Sequence, residues 1–227
     1  GAAGQAPFLD FAAQLQAQPC RVDLLQTSLG IGIDICAAGL DAQVAYGIPK
    51  FRRLPGCGGT AAYTLSILQA MLSRFGHKLR VAIDGKEYTG TYMMAAICNG
   101  GYYGGYQAAP YAVMDDGLLD IVLVKPISRI QVAGILAKYK AGRHMQDADT
   151  IVPEFRSFMT FYRARSVEMQ VLDNRPIIAT IDGECAPVME LKAEVLPSAL
   201  NVLLPRPACG SAVIRGLYEC PMQAKAK

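Results

Sequence analysis

The sequence contains no tryptophan and only two histidines, His77 and His144. Each histidine adjoins a lysine or an arginine near the end of a predicted helix, and this position predicts a solvated side chain. No G-x-S-x-G segment occurs, which excludes the nucleophile turn of an α/β-hydrolase. No G-x-x-x-x-G-K-[ST] segment occurs either, which excludes a P-loop nucleotide site.

The seven cysteines are odd in number and include no C-x-x-C pair. This pattern argues against a disulfide framework and against a zinc site. Most of the cysteines lie in apolar or small-residue runs. We therefore expect buried, reduced thiols and a cytoplasmic protein.

The sequence also lacks the features of a secreted, a membrane-spanning or a nucleic-acid-binding protein. The first residues lack the basic region of a secretory signal. No apolar run reaches the roughly 20 residues that span a bilayer, and the nearest run, 28–46, is interrupted by Asp34 and Asp41. The formal net charge is +3 without a dominant Lys/Arg block, so no nucleic-acid partner is expected.

Apolar residues make up 52% of the 227 residues, enough to bury a core. Helical spacing predicts a helix from an N-cap at Thr60 to Gly76, and another from a capping box at Ser128 to Gly142. A shorter helix, 9–16, precedes the domain. Alternation and turn residues predict strands at 21–25, 30–36, 78–83, 88–98, 119–124, 158–163, 167–172, 176–181, 188–193 and 200–204. The sum is an α+β, mainly β, domain of the sandwich type with two helices.

The segment D-D-G-L-L-D, 115–120, has two interpretations. An Asp-Gly turn that enters a buried strand is the simpler one. The other is a magnesium site, because Mg²⁺ prefers hard oxygen ligands and keeps several waters. One carboxylate with backbone carbonyls from a tight turn would suffice, and Gly117 would let the chain bend around the ion.

The segment I-D-G-E, 181–184, is nearly repeated by I-D-G-K at 83–86. The shared I-D-G therefore indicates a general hairpin turn, and only Glu184 distinguishes the second copy. Taken alone, Glu184 would be an exposed turn residue.

Two glycine-rich segments could approach a ligand closely. N-G-G-Y-Y-G-G-Y, 99–106, has four glycines in eight residues, which suits either a surface turn or a backbone that must bend near a ligand. G-C-G-G-T, 56–60, precedes a predicted helix and resembles a phosphate cradle, although glycine before an N-cap is common.

Five segments occur together in a fixed order. They are S-L-G-I-G-I-D-I-C-A-A-G-L-D-A-Q-V-A-Y (28–46), the run 50–72, the run 95–129, A-T-I-D-G-E (179–184) and E-V-L-P-S-A-L-N-V-L-L-P (194–205). This set resembles the soluble diacylglycerol/sphingosine kinase family over about residues 9 to 205, and most of all the bacterial diacylglycerol and lipid kinases. In that family an ATP-binding half with a GGDGT-type motif faces a β-sandwich-like half that supplies the lipid side.

The resemblance assigns roles to particular residues. The proton-accepting glutamate of the family falls on Glu184. The structural magnesium site falls on the side chain of Asp116, with Val113 and Leu118 contributing near it. The loop at the cleft falls on Asn99, Gly100, Gly104 and Gly105, where Gly101 replaces a basic residue common in relatives. Glu184 and Asp116 are expected to face one crevice.

The chain has no GGDGT motif, so it resembles the C-terminal half alone. Residues 1–20 would be a linker after an absent nucleotide-binding domain, 21–205 the lipid kinase domain and 206–227 a tail. The implied activity is ATP-dependent phosphorylation of a lipid hydroxyl, with Mg²⁺, and most simply the conversion of diacylglycerol to phosphatidic acid. This half alone would be inactive.

The resemblance also implies a lipid substrate, peripheral contact with a membrane surface and a homodimer. Lys50, Arg52 and Arg53 could meet anionic headgroups, although a solvated loop is the simpler interpretation. The alternatives are a non-catalytic lipid-binding or interaction module, another kinase of the wider superfamily such as an NAD kinase, and a purely structural sandwich domain.

Overall fold

A computed structural model describes residues 10–73 and 76–204. The described residues form four helices: α1 (Phe11–Leu15), α2 (Leu40–Arg52), α3 (Gly59–Leu72) and α4 (Arg129–Lys140). Their strands are β1 (Gln18–Thr27), β2 (Gly30–Gly32), β3 (Ile35–Gly39), β4 (His77–Ile83), β5 (Lys86–Tyr92), β6 (Met94–Cys98), β7 (Leu119–Val124), β8 (Met159–Ala164), β9 (Ser166–Val171), β10 (Ile177–Ile181), β11 (Glu184–Val188) and β12 (Glu190–Leu204).

The strands form two antiparallel sheets of six strands each. Sheet 1 has the order β2-β1-β12-β9-β4-β5, and sheet 2 has the order β11-β10-β3-β6-β7-β8. The prediction of a mainly β, sandwich-like domain is therefore confirmed.

The main apolar core lies between the two sheets, where Val81 of sheet 1 and Ile97 of sheet 2 belong to one buried cluster. A second cluster covers the other face of sheet 2, where Val132 of α4 and Phe155 pack. Sheet 2 is thus buried on both faces. For this reason β7 is a nearly continuous apolar run and was predicted with its correct bounds.

The prediction of two helices is wrong, because α2 was not expected. Helix α2 packs on β3 and β10 of sheet 2, and α3 packs on α2. The two helices approach closely through small residues. A Cβ at Gly47 would collide with the side chain of Ser66, whose hydroxyl donates to the carbonyl of Val44 (2.5 Å).

The predicted helix starts have different outcomes. The capping box is confirmed, since the Gln131 N–H donates to the Ser128 hydroxyl (3.2 Å) and the Ser128 N–H donates to the Gln131 side chain (3.0 Å). The N-cap at Thr60 is wrong. Helix α3 begins at Gly59 after an extended Gly58, so Thr60 already lies inside the helix.

Two predicted strand patterns are altered by long-range hydrogen bonds. The predicted strand 30–36 is interrupted because the N–H groups of Ile33 and Asp34 donate to the carboxylate of Asp182. The predicted turn at L-P-S-A is instead a bulge within β12. There Ser198 has φ 52°, and its N–H donates to the carboxylate of Asp23 (2.7 Å).

The histidine and cysteine expectations are partly wrong. His144 is fully buried, and its Nε2 lies 3.0 Å from the carbonyl of Ala108. Burial lowers the pKa of His144 to about 4, so its ring is neutral at pH 7. Free thiols are found at Cys36, Cys57, Cys98 and Cys185, of which Cys36 and Cys98 are buried. Cys20, by contrast, is disulfide-bonded.

Among the described residues, no helix combines the length and the apolar character that a membrane crossing requires. Strand β1 begins at Gln18, within the predicted linker. The predicted tail, 206–227, lies outside the described residues.

Candidate functional site

The polar segments selected from the sequence meet at one edge of sheet 2. The register places these pairs side by side: Ile181–Cys36, Ile35–Cys98 and Cys98–Asp120. The connections beyond these residues therefore leave the sheet on the same side, which we call the polar edge (residues 33–34, 99–100, 116–118 and 182–184). Adjacent strands lie about 4.8 Å apart, so the hairpin with Glu184 and the turn with Asp116 are separated by roughly 14 Å.

Asp182 fastens the I-D-G-E hairpin to the start of β3. Its carboxylate accepts hydrogen bonds from the N–H groups of Ile33 (2.6 Å), Asp34 (3.1 Å) and Ile35 (2.9 Å). Asp182 and Gly183 have φ values of 47° and 99°, as a two-residue type I′ turn requires.

The I-D-G-K hairpin uses the same device. Asp84 and Gly85 have φ values of 44° and 80°, and the Asp84 carboxylate accepts from the N–H groups of Arg165 (3.0 Å) and Ser166 (2.8 Å). The interpretation of I-D-G as a general hairpin turn is therefore confirmed.

Asn99 joins three segments at the polar edge. Its side-chain amide is buried and donates to the carbonyls of Asp23 and Ile33, each at 2.8 Å. The N–H groups of Asn99 and Gly100 both donate to the carbonyl of Asp34. A Cβ at Gly100 would collide with the carboxylate of Asp34, which explains why glycine follows Asn99.

Gly104 and Gly105 form the turn of a small hairpin, 103–106, which we call the tyrosine hairpin. Their φ values are 51° and 84°, and Tyr103 and Tyr106 form a bridge on either side of them. Two hydroxyl contacts hold this hairpin to the helices. Tyr103 donates to Asp41 of α2, and Tyr63 of α3 donates to Tyr106 (2.7 Å).

A cavity of about 440 Å³ lies between the helical pair, the tyrosine hairpin and the polar edge. Its apolar lining comes from Ile33, Ile35, Val44, Ala45 and Ile48. Its polar lining comes from Asp34, Asp41, Thr180 and Asp182, with the tyrosines Tyr63, Tyr103 and Tyr106. The cavity can therefore take an apolar molecule that has a polar end.

Two of the three aspartates in the cavity wall have raised pKa values. Burial, and then the neighbouring Asp182 carboxylate, raise the pKa of Asp34 to about 7. The Asp34 Oδ1 atom is buried without a hydrogen-bond partner among the described residues. Burial raises the pKa of Asp41 to about 6, and the hydrogen bond from Tyr103 opposes this rise. Asp34 thus lines the cavity, while its Oδ1 atom is packed against Gly100.

Glu184 is exposed at the tip of the β10–β11 hairpin, directly after the cavity-lining Gly183. The register pairs Ile181 with Glu184 and Thr180 with Cys185. Successive residues of a strand point to opposite faces, so Glu184 lies on the other face of the hairpin from Thr180. Glu184 itself does not line the cavity.

Asp116 does not line the cavity. Its Oδ2 atom accepts from the guanidinium of Arg163 (2.5 Å), and its Oδ1 atom accepts from the N–H of Leu118 (3.0 Å). Arg163 also binds Asp120 (3.0 Å). Burial raises the pKa of Asp116, and Leu118 and Arg163 oppose this rise.

The chemistry of the magnesium prediction fits this turn only in part. A carboxylate and nearby backbone carbonyls of Val113 and Leu118 are the hard oxygens that Mg²⁺ prefers. The Asp116 carboxylate is, however, already paired with Arg163, which it shares with Asp120. Within the described part of the chain, no group of three or more His, Cys, Asp or Glu side chains could hold a metal ion.

Sequence reasoning missed Asp34, Asp41, Tyr63 and Asp182 as members of the site. Asp34 and Asp41 were visible only as charges that interrupt an apolar run. A charged residue in such a run is a signal, because it is buried only when it is paired or functional.

The described residues thus form a two-sheet sandwich with a cavity that is apolar along α2 and polar at the end where Asp34 and Asp182 lie. Residues 34–204 match the model of the YegS C-terminal NAD kinase beta sandwich-like domain. The chain belongs to this family.

Curated relatives are named as lipid or diacylglycerol kinases. A "Probable lipid kinase YegS-like" of Shewanella frigidimarina (strain NCIMB 400) is 30% identical over 189 residues, covering 83% of this chain and 56% of the relative. The diacylglycerol kinase of Bacillus subtilis (strain 168) is 21% identical over 186 residues, covering 82% of this chain and 57% of that protein. The chain thus spans little more than half the length of these relatives.

The fold recurs in a solved structure. The crystal structure of a diacylglycerol kinase from Bacillus anthracis strain Sterne superposes with a TM-score of 0.53 and 16% sequence identity, covering 84% of this chain and 56% of that chain. At this identity the likeness concerns the fold.

Proposed function

We propose that this chain is the C-terminal half of an ATP-dependent lipid kinase that phosphorylates a lipid hydroxyl, with diacylglycerol as the acceptor. The observation that carries the proposal is the cavity. It is apolar along α2, and at the polar edge it ends at Asp34 and Asp182, beside the hairpin that bears Glu184. The membership in the YegS C-terminal domain family supports a lipid kinase role.

The cavity would hold part of the lipid's acyl region and headgroup. Each CH₂ removed from water contributes about 0.8 kcal/mol, so even a few buried groups favour binding. The Asp34 carboxyl, which lines the cavity, would accept a hydrogen bond from the lipid hydroxyl. This bond would fix the hydroxyl near the tip of the hairpin.

Glu184 would take the proton of the acceptor hydroxyl as the phosphoryl group arrives. Its exposure at the hairpin tip leaves it accessible to a nucleotide bound opposite the polar edge. Phosphoryl transfer depends mainly on positioning and on stabilising charge. In the family that the chain resembles, ATP and its Mg²⁺ are held by an N-terminal half with a GGDGT-type motif.

A magnesium ion at Asp116, with Val113 and Leu118, stays a separate prediction. Such an ion would compete with Arg163 for the carboxylate and stiffen the turn before β7. We expect MgCl₂ to raise the thermal unfolding temperature of the chain and to lose this effect in Asp116→Asn. An equal rise in both proteins would contradict the assignment.

Lipid binding can be tested on the 227-residue chain alone. Ala45→Leu places three extra carbon atoms in the cavity wall, so we expect it to weaken binding of dioctanoylglycerol, measured by calorimetry, by at least about tenfold. The matched control is Ala133→Leu on the exposed surface of α4, which should bind as the unchanged chain does. Equal affinity for all three proteins would refute the cavity as the lipid site.

A further inference from the structure

Helix α3 has the reverse of the usual distribution of side chains. Its buried residues are small: Ala62, Ser66 and Ala70. Its large apolar residues lie outside: Leu65, Leu68 and Leu72 are 36%, 55% and 72% exposed. A surface helix normally turns its large apolar side chains towards the core. Contacts within the described part of the chain therefore do not account for the leucines.

The three leucines form one stripe, which we call the leucine face (Leu65, Leu68 and Leu72). Their spacing of three and then four residues brings them to one side of a helix. Helix α3 contains no Asp, Glu, Lys or Arg at all. It packs on α2, which separates it from sheet 2, so the leucine face is the outer surface of the helical pair.

The sequence on either side of this face carries charge of one sign. No Asp or Glu occurs from Ala42 to Ile83. The end of α2 and the turn after it expose Lys50, Arg52 and Arg53, none of which forms an ion pair with a described residue. The leucine face is apolar, and the basic side chains that precede it in the sequence have no ion-pair partner among the described residues. Together they complement a surface with an apolar interior and a negatively charged boundary, such as an anionic lipid bilayer.

We propose that the leucine face, together with the basic turn 50–53, is the surface by which this domain docks on an anionic lipid bilayer. Helix α3 has 14 residues, or about 21 Å, which is shorter than the roughly 30 Å hydrocarbon layer. It would therefore lie in the plane of the interface with its leucines among the acyl chains.

The proposal rests on the proposed function, because a lipid kinase must take its acceptor from a membrane. Helix α2 connects the two ideas structurally. One side of α2 packs under α3, and Val44, Ala45 and Ile48 of α2 line the cavity. Docking through α3 would hold the cavity close to the bilayer.

The test is sedimentation of the 227-residue chain with large unilamellar vesicles, without ATP and without diacylglycerol. Vesicles of phosphatidylglycerol and phosphatidylcholine should bind the chain, and vesicles of phosphatidylcholine alone should bind it more weakly. The variant L65Q/L68Q/L72Q should lose at least about tenfold in partitioning. The variant K50Q/R52Q/R53Q should lose roughly a hundredfold on the anionic vesicles and much of its sensitivity to NaCl. Thermal unfolding should be unchanged in both variants, since all six side chains are exposed.

The control is I31Q/L203Q, which removes two apolar side chains that are each 62% exposed on sheet 1. It should bind vesicles as the unchanged chain does. Equal binding by the leucine variant, or no binding by any protein, would overturn the proposal. So would a dimer in sedimentation equilibrium that the leucine variant breaks without any vesicle binding, since the face would then belong to a second copy. Because no ATP is present, failure here is distinct from failure of the kinase assignment.

Discussion

Replacing Asp182 by asparagine tests how the I-D-G-E hairpin is held. Asparagine tolerates the positive φ of this position, so the turn itself should survive. The side chain, however, keeps only one acceptor oxygen for three backbone N–H groups. Removing the bond to Ile33 (2.6 Å) and weakening those to Asp34 and Ile35 should cost about 2 kcal/mol. At roughly 2–4 °C per kcal/mol for a domain of this size, the unfolding temperature should fall by about 4–8 °C.

The same substitution should change the pH dependence of stability. The pKa of Asp34 is raised to about 7 by burial and then by Asp182, so the native state binds a proton that the unfolded state has lost. The contribution of Asp34 to the free energy of unfolding is therefore fully present below its ordinary pKa near 4. This contribution is lost as the pH rises towards 7. Neutralising position 182 lowers the pKa of Asp34 and should flatten this fall.

Asp84→Asn is the matched control, because it alters the same turn in the twin hairpin without contacting Asp34. It should lower the unfolding temperature by a similar amount and leave the pH dependence as in the unchanged chain. Urea unfolding of the three proteins between about pH 4 and 8 measures both effects. An unchanged stability of Asp182→Asn, or the same pH dependence in both variants, would refute the reasoning.

Three further predictions concern the polar edge. Asn99→Ala should lower the free energy of unfolding in urea by about 3 kcal/mol, because two buried carbonyls lose their donor. The control is the exposed Asn201→Ala, which should change this free energy by less than about 0.5 kcal/mol. Equal effects would argue against the hydrogen-bond network of Asn99. Gly100→Ala should destabilise the chain by about 2 kcal/mol, because the added Cβ collides with the Asp34 carboxylate. The control is Gly134→Ala, in open space on α4, which should stabilise the chain by about 0.5–1 kcal/mol. A stabilised Gly100→Ala would contradict the close packing of Gly100 on Asp34. Binding of dioctanoylglycerol should strengthen as the pH rises from about 6 to 8, because Asp34, with its pKa of about 7, becomes a carboxylate that accepts the hydrogen bond. Asp34→Asn should bind without this pH dependence. If the variant keeps the pH dependence, another group is responsible for it.

The parts of the fold that local chemistry determines could be predicted from the sequence. The capping box at Ser128 and the apolar run of β7 need only neighbouring residues, and both are confirmed. Helix α2 could not be predicted in this way. It contains Pro49, which disfavours a helix, and its stability comes from packing on sheet 2 and under α3.

The candidate site likewise has features set by neighbouring residues and features set by tertiary structure. The turn residues of I-D-G-E were recognisable, since Asp-Gly favours a type I′ turn wherever it occurs. Its attachment was not, because Asp182 bonds to residues almost 150 positions away. The partial burial of Asp34 and the full burial of His144 likewise follow from which loops meet in the folded chain. Only tertiary structure shows that Asp34 faces the cavity while Glu184 stands beside it.

Transfer of the γ-phosphoryl group from radiolabelled ATP to a lipid tests the central claim most directly. The protein to use carries this chain joined to an ATP-binding half of the kind its relatives possess, and the acceptors are diacylglycerol, phosphatidylglycerol, ceramide and a sphingoid base. The account predicts labelled phosphatidic acid from diacylglycerol, and a loss of at least about a hundredfold in kcat for Glu184→Gln. No labelled lipid from any acceptor, or near-normal turnover by Glu184→Gln, would contradict it.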